Sequence, residues 1–185
     1  MLCVLAITLL AGFTAPGHAG ASAARPSADT DTPAGRAVAA LVSADPLSMM
    51  PLLPNDFAVR MGYRVTIIDG VPANPGGGCS SPIPLPHRFE PLCKTHDLGY
   101  DLLRYGALTG HPLEAWARKD LDAMLISRMR ASCNDTTCRQ YAEIAEIGLR
   151  FNTWRQDSGV PVAESPFAIV ATMVHRIVLN AAEWS

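Results

Sequence analysis

The segment Cys93-Lys94-Thr95-His96-Asp97-Leu98-Gly99-Tyr100 constrains this chain more than any other stretch. On a helix, residues three and four apart are neighbours, so Cys93, His96 and Tyr100 share one face. Asp97 points about 100° away on the same turn. One turn thus aims an imidazole at one place and a carboxylate at another. A cysteine on that turn ties it to another part of the chain, and Cys79 stands in a Pro/Gly-dense stretch, Gly70 to Pro86, that cannot be helical. A bond between Cys79 and Cys93 would lay that stretch, with its Gly76-Gly77-Gly78, against the His-Asp turn. Backbone carbonyls beside a carboxylate are how oxygen-ligand cations such as calcium are held. A neutral imidazole with one nitrogen free can take a proton from water. Taken alone, a His-Asp pair reads more simply as a core histidine beside a surface carboxylate; the cysteine and the loop make it a candidate site.

The apolar run Leu2 to Phe13 and the small-x-small tripeptide Gly17-His18-Ala19 read as a secretory signal over residues 1–21, cut near Ala19 or Ala21. No Lys or Arg precedes Arg25. The run is too short for a membrane span, which needs about 20 apolar residues. Export to a secreted, oxidising location removes Cys3 and leaves Cys79, Cys93, Cys133 and Cys138, an even number suited to disulfides. Four cysteines allow three connectivities, of which Cys79–Cys93 with Cys133–Cys138 is the most local. Closing a loop of about 15 residues is worth roughly 3 kcal/mol by the chain-entropy model.

The chain is 185 residues long, 49% hydrophobic and 17% charged, enough for one domain with a sizeable core. Its net charge of −2 argues against a nucleic-acid partner. Residues 22–45 read as a flexible N-terminal segment, although Arg36 to Ser43 is apolar enough for a short helix. Pro46, Pro51 and Pro54 break regularity. Tyr63 to Ile68 is the one strand candidate, by its β-branched content. A helix is expected from Arg88 or Phe89 to Tyr105, with Pro91 tolerated in its first turn. A second runs from Leu113 to Ala131, a third from Thr137 or Cys138 to Trp154, and a strongly apolar fourth from Pro166 to Ala182. Residues 46–185 then form a single, mainly α domain with a C-terminal helical extension.

Cys93-x-x-His96-Asp97-x-Gly99-Tyr100, preceded by Gly78-Cys79 in a loop, resembles the secreted phospholipase A2 family of bacteria and fungi. The likeness covers about residues 76–138, roughly a third of the chain, and includes Asp122, eleven residues before Cys133 with Leu125 between them. The resemblance implies a helical bundle with two long antiparallel helices and two disulfides, Cys79–Cys93 and Cys133–Cys138. It implies His96 as general base, drawing a proton from a water that attacks the sn-2 ester of a glycerophospholipid. Asp122 would bond the other ring nitrogen, as the acid of a triad does. Asp97, with the loop at Gly77, Gly78 and Cys79, would hold Ca2+, which would bind the lipid phosphate and stabilise the oxyanion. The partner implied is a phospholipid at a membrane or micelle surface, met by a monomer. Tyr100 is a supporting residue, as a hydrogen-bond donor to the catalytic aspartate or as packing.

Asp120 competes with Asp122 for the role of acid. By helical angle Asp122 aligns with Arg118, Leu125 and Met129, and Asp120 with Trp116, Ala123, Met124 and Ser127. The distance to Cys133 favours Asp122; the plainer reading of both is a solvated pair in the charged stretch Arg118-Lys119-Asp120. One position departs from the family pattern. Where an aspartate usually precedes the Gly-Cys of the loop, this chain has Gly77. One carboxylate fewer weakens a calcium site, and Asp69, Asn74, Asp101 or loop carbonyls would have to compensate. A competing expectation follows from that position: a non-catalytic lipid- or protein-binding module on the same scaffold. A zinc site on the cysteines and His96 is disfavoured, because zinc signatures use paired short spacings. Asp101 and Arg104 read as surface groups, His87, His111 and His175 as exposed, and Trp116, Trp154 and Trp184 as core.

Overall fold

Two of the helices begin at side-chain caps. In the computed structural model, residues 25–81, 83–162, 164 and 166–182 are described. Thr32 caps α2 (Pro33–Leu41), its hydroxyl accepting the Gly35 N–H at 2.9 Å, with Pro33 at the first helical position. Asp135 caps α6 (Thr136–Arg155) by accepting the Cys138 N–H at 2.8 Å. Between them lie α4 (Glu90–Leu108), with Pro91 in its first turn, and α5 (Ala115–Ser132). The last helix, α7, covers Pro166–Ala182. The expected mainly helical class is met, with one small two-stranded sheet. The disulfides are Cys79–Cys93 and Cys133–Cys138, the most local of the three connectivities.

The proposed leader lies outside the described residues. The segment 22–45, expected to be flexible, is not so where it is described. It forms α1 (Ser27–Thr30) and α2, and Ala34, Ala37, Val38 and Leu41 are buried. These four stand at i, i+3, i+4 and i+7, an apolar stripe that an Ala-rich composition hides. A buried carboxylate locks the segment down: Asp29 accepts the Trp116 Nε1–H at 2.6 Å and the Glu114 N–H at 2.8 Å.

The strand candidate also needs correction. Only Thr66–Ile68 is extended (β1), and it pairs antiparallel with Val71–Ala73 (β2), inside the stretch read as loop. Asp69 and Gly70 make the turn with φ of 50° and 78°, the type I′ geometry that Asp-Gly favours in two-residue hairpins. Pro46–Leu52 forms a 3-10 turn, and α3 (Phe57–Met61) follows it.

Helices α4 and α5 run antiparallel, His96 facing Asp122 and Tyr100 facing Arg118. They approach closely because residue 99 is glycine: a Cβ there would lie 2.2 Å from Leu121 Cδ2. Around this contact Leu98, Leu102, Ala117 and Leu121 join α2, Met49 and Phe57 in the main core. A second cluster, Phe89, Leu125, Met129 and Ala142, packs around Cys93 and the Cys133–Cys138 bridge. Helix α6 folds back along α5, with Thr153 reaching Asp122 and Glu146 reaching Arg130. Arg155 pairs with Glu164 at 2.6 Å and Arg176 with Asp157 at 2.8 Å, anchoring α7. Ile169, Val170, Val174 and Ile177 of α7 remain exposed. Among the described residues no helix is long and apolar enough to cross a membrane.

Candidate active site

His96 projects from the middle of α4 and is 5% exposed. Its Nε2 lies 2.8 Å from Asp122 Oδ1. A carboxylate only accepts, so in the neutral imidazole this nitrogen carries the proton and Nδ1 keeps its lone pair. Among the described residues Nδ1 has no hydrogen-bond partner. The Tyr100 hydroxyl donates to the same Oδ1 at 2.7 Å, its ring 4.1 Å from the imidazole. The Thr153 hydroxyl donates to Asp122 Oδ2 at 2.6 Å. Three donors from α4 and α6 thus converge on one carboxylate of α5. Burial, and then the Asp122 charge, push the Tyr100 phenol well up, so it stays a donor.

Asp122 is therefore the aspartate that meets His96, and Asp120 is not at the site. Asp120 pairs with Arg25 at 2.9 Å on the surface. Two residues on a helix differ by about 200°, so one faces the partner helix and the other solvent. Arg118 departs from the expected solvated stretch. It is 1% exposed, on the face of α5 that carries Asp122. Asp101 likewise departs from its expected surface role. It is buried and accepts from Tyr63 Oη (2.8 Å), Asn74 Nδ2 (2.9 Å) and Arg104 Nη1 (2.7 Å). Sequence spacing had no means of finding Thr153, Tyr63 or Asn74 as partners, because each comes from a separate element. For Arg118 the four-residue spacing to Asp122 was the available signal. His87, His111 and His175 are exposed and Trp116 is core, as expected. Trp154 is half-buried, and Trp184 lies outside the described residues.

The loop side is organised differently. Cys79–Cys93 holds the glycine loop on α4, the Asn74 N–H bonds Lys94 O at 3.0 Å, and Lys94 Nζ bonds Pro75 O at 2.9 Å. Asp97 Oδ2 accepts the Gly78 N–H at 2.8 Å. A Cβ on residue 77 would lie 2.6 Å from that same oxygen, so the loop closes because glycine stands there. Glu90, which sequence reading did not single out, receives the Cys79 N–H at 3.3 Å. Burial pushes the Asp97 carboxyl above its ordinary value, against the Gly78 N–H, which lowers it.

Calcium needs six or more oxygen ligands. At Asp97 an N–H points at the carboxylate where a cation needs carbonyl oxygens. Asp101 and Asn74, named above as substitutes, are bonded to each other, and no three His, Cys, Asp or Glu side chains converge among the described residues. As arranged, Asp97 Oδ2 is engaged by the Gly78 N–H. A groove of about 470 Å³ between α5 and α6 reaches Asp122 and Thr153, with Ala123, Ile126, Leu149 and Trp154 among its lining. A second cavity, about 370 Å³, lies against Cys79, Pro84, Leu85 and Glu90. Compared with protein-family models, with curated proteins and with solved structures, the chain matches none.

Proposed function

We propose that this protein is an exported ester hydrolase of the phospholipase A2 kind, acting on glycerophospholipids at a lipid surface. The observation that carries the reading is the buried His96 Nε2–Asp122 Oδ1 contact at 2.8 Å, with Nδ1 left to bind water. A water on Nδ1 gives up its proton as its oxygen attacks the ester carbonyl carbon. Imidazolium then forms, and the Asp122 charge stabilises it. Proton return from Nδ1 to the leaving alkoxide closes the cycle. Tyr100 and Thr153 hold the acid in place throughout. The resemblance assigns oxyanion stabilisation to calcium, which Asp97 and the loop at Gly77, Gly78 and Cys79 would hold. Two disulfides suit an oxidising, extracellular location. The exposed apolar residues of α7, with Ile147 and Phe151 on α6, suit a partner that is a lipid surface.

The test is release of free fatty acid from phosphatidylcholine and phosphatidylglycerol vesicles, with added calcium and with chelator. Release supports the reading. No release from either lipid under either condition overturns it. The loop with Gly77 in place of an aspartate favours a second reading, a lipid-binding module without turnover. That module would retain vesicle binding in a His96→Ala variant and release no fatty acid in the parent protein.

A further inference from the structure

Arg118 is a buried cation with no carboxylate in ion-pair contact among the described residues, and the proton transfer above makes no use of it. Burying a charge is costly unless polar groups compensate it. Its Nη1 donates to Gln156 Oε1 at 2.9 Å and to Gly159 O at 2.8 Å, while Nη2 is buried without a partner. The remaining contacts lead towards the dyad. Nε donates to Thr153 Oγ1 at 3.0 Å, and the guanidinium carbon stands 5.3 Å from the centre of the Tyr100 ring.

A hydroxyl has a single proton to give. Because the Arg118 N–H fills a lone pair of Thr153 Oγ1, the hydroxyl proton is directed to Asp122 Oδ2. Cation–π contact with Arg118 favours the placement of the Tyr100 ring, whose hydroxyl is bonded to Oδ1. Both oxygens of Asp122 are thus held by groups that a single guanidinium touches.

We infer that Arg118 and Thr153 are positioning residues: Arg118 orients the Thr153 hydroxyl and the Tyr100 ring, and these hold Asp122 in the rotamer that keeps His96 as the Nε2–H tautomer. The consequence for turnover rests on the proposed hydrolase; the tautomer does not.

The experiment uses the full chain labelled with ¹⁵N at histidine, at about pH 8, where an ordinary imidazole is neutral. His96→Gln assigns the resonance. The parent protein is expected to show the Nε2–H pattern for His96. Thr153→Val, which keeps the shape and removes the hydroxyl, should give a mixture of tautomers and lower kcat about 10- to 100-fold, the range seen for outer partners of functional histidines, with KM unchanged. Thr153→Ser should restore both. Arg118→Lys keeps the charge but loses the fork and should behave like Thr153→Val. Should the Arg118 variant fail to fold, the two Thr153 variants carry the test. A folded Thr153→Val protein with an unchanged His96 tautomer overturns the inference and leaves Arg118 as a core staple. If the parent releases no fatty acid, the hydrolase reading falls while the tautomer comparison still decides the role of Thr153.

Discussion

His96 and Asp97 are consecutive residues with opposite surroundings. The imidazole faces a helix–helix contact in which every oxygen of its acid partner is occupied by a donor from a packed element. The carboxylate next to it faces a loop tied to α4 by a disulfide and several hydrogen bonds, accepts the Gly78 N–H, and has its charge disfavoured by burial. Side chains on packed helices build the surroundings of His96; backbone and glycine build those of Asp97. The difference teaches that one turn of helix can carry a fully hydrogen-bonded His–Asp pair beside a carboxylate met mainly by loop backbone. Losing a side chain on the first side should therefore cost chemistry, and altering the second side should mostly cost or gain stability.

The contrast is most sharply tested at the base itself. His96→Ala is expected to lower fatty-acid release by about 10²- to 10⁴-fold, the usual contribution of a positioned acid–base group. Thermal unfolding should show the variant still folded; equal rates in parent and variant would break the comparison. Replacing both Cys79 and Cys93 by Ala frees the loop and should lower stability by roughly 3 kcal/mol for a bridge of this span, measured by denaturant unfolding. The Cys133–Cys138 bridge closes a far shorter loop, and its removal should cost less. Gly99→Ala drives a methyl into Leu121 and should cost about 1–3 kcal/mol as overpacking. It should also lower activity, by parting His96 from Asp122.

The smallest effect is expected at Asp97. Burial raises its folded-state pKa, so the native protein binds the proton more tightly than the unfolded chain does. Stability from that protonated form is present below the ordinary carboxylate pKa and is lost as pH rises through the folded value. Asp97→Asn keeps an acceptor for the Gly78 N–H and never ionises. It should be more stable than the parent at neutral pH, and the gap should close as the medium becomes acidic. Urea unfolding at several pH values checks the sign; a gap that widens towards low pH would falsify the burial argument.

Much of the site was legible because its chemistry lies within one helical turn. Spacing placed His96, Asp97 and Tyr100 on α4, and the resemblance to the phospholipase pattern, through the distance to Cys133, favoured Asp122 over Asp120. The bound state of Asp101 and the roles of Thr153 and Arg118 were not legible, since each depends on which elements pack together. Of the N-terminal helices, α1 was missed and α2 was read only as a short-helix candidate from Arg36 to Ser43, because alanine is ambiguous between surface and core. The β2 strand was missed because Pro and Gly around it signal turns, although Asp69-Gly70 marked a hairpin.

Local pattern by itself determined the long helices and a set of cysteines within reach of short bridges. These depend on residues a few positions apart, whose interactions survive without the rest of the molecule. Tertiary structure alone decided that Arg118 is buried, that Thr153 completes the partners of Asp122, and that the Gly78 N–H meets Asp97. The physical reason is that burial and hydrogen-bond satisfaction belong to whichever surfaces meet, and spacing along one element cannot say which surfaces those are.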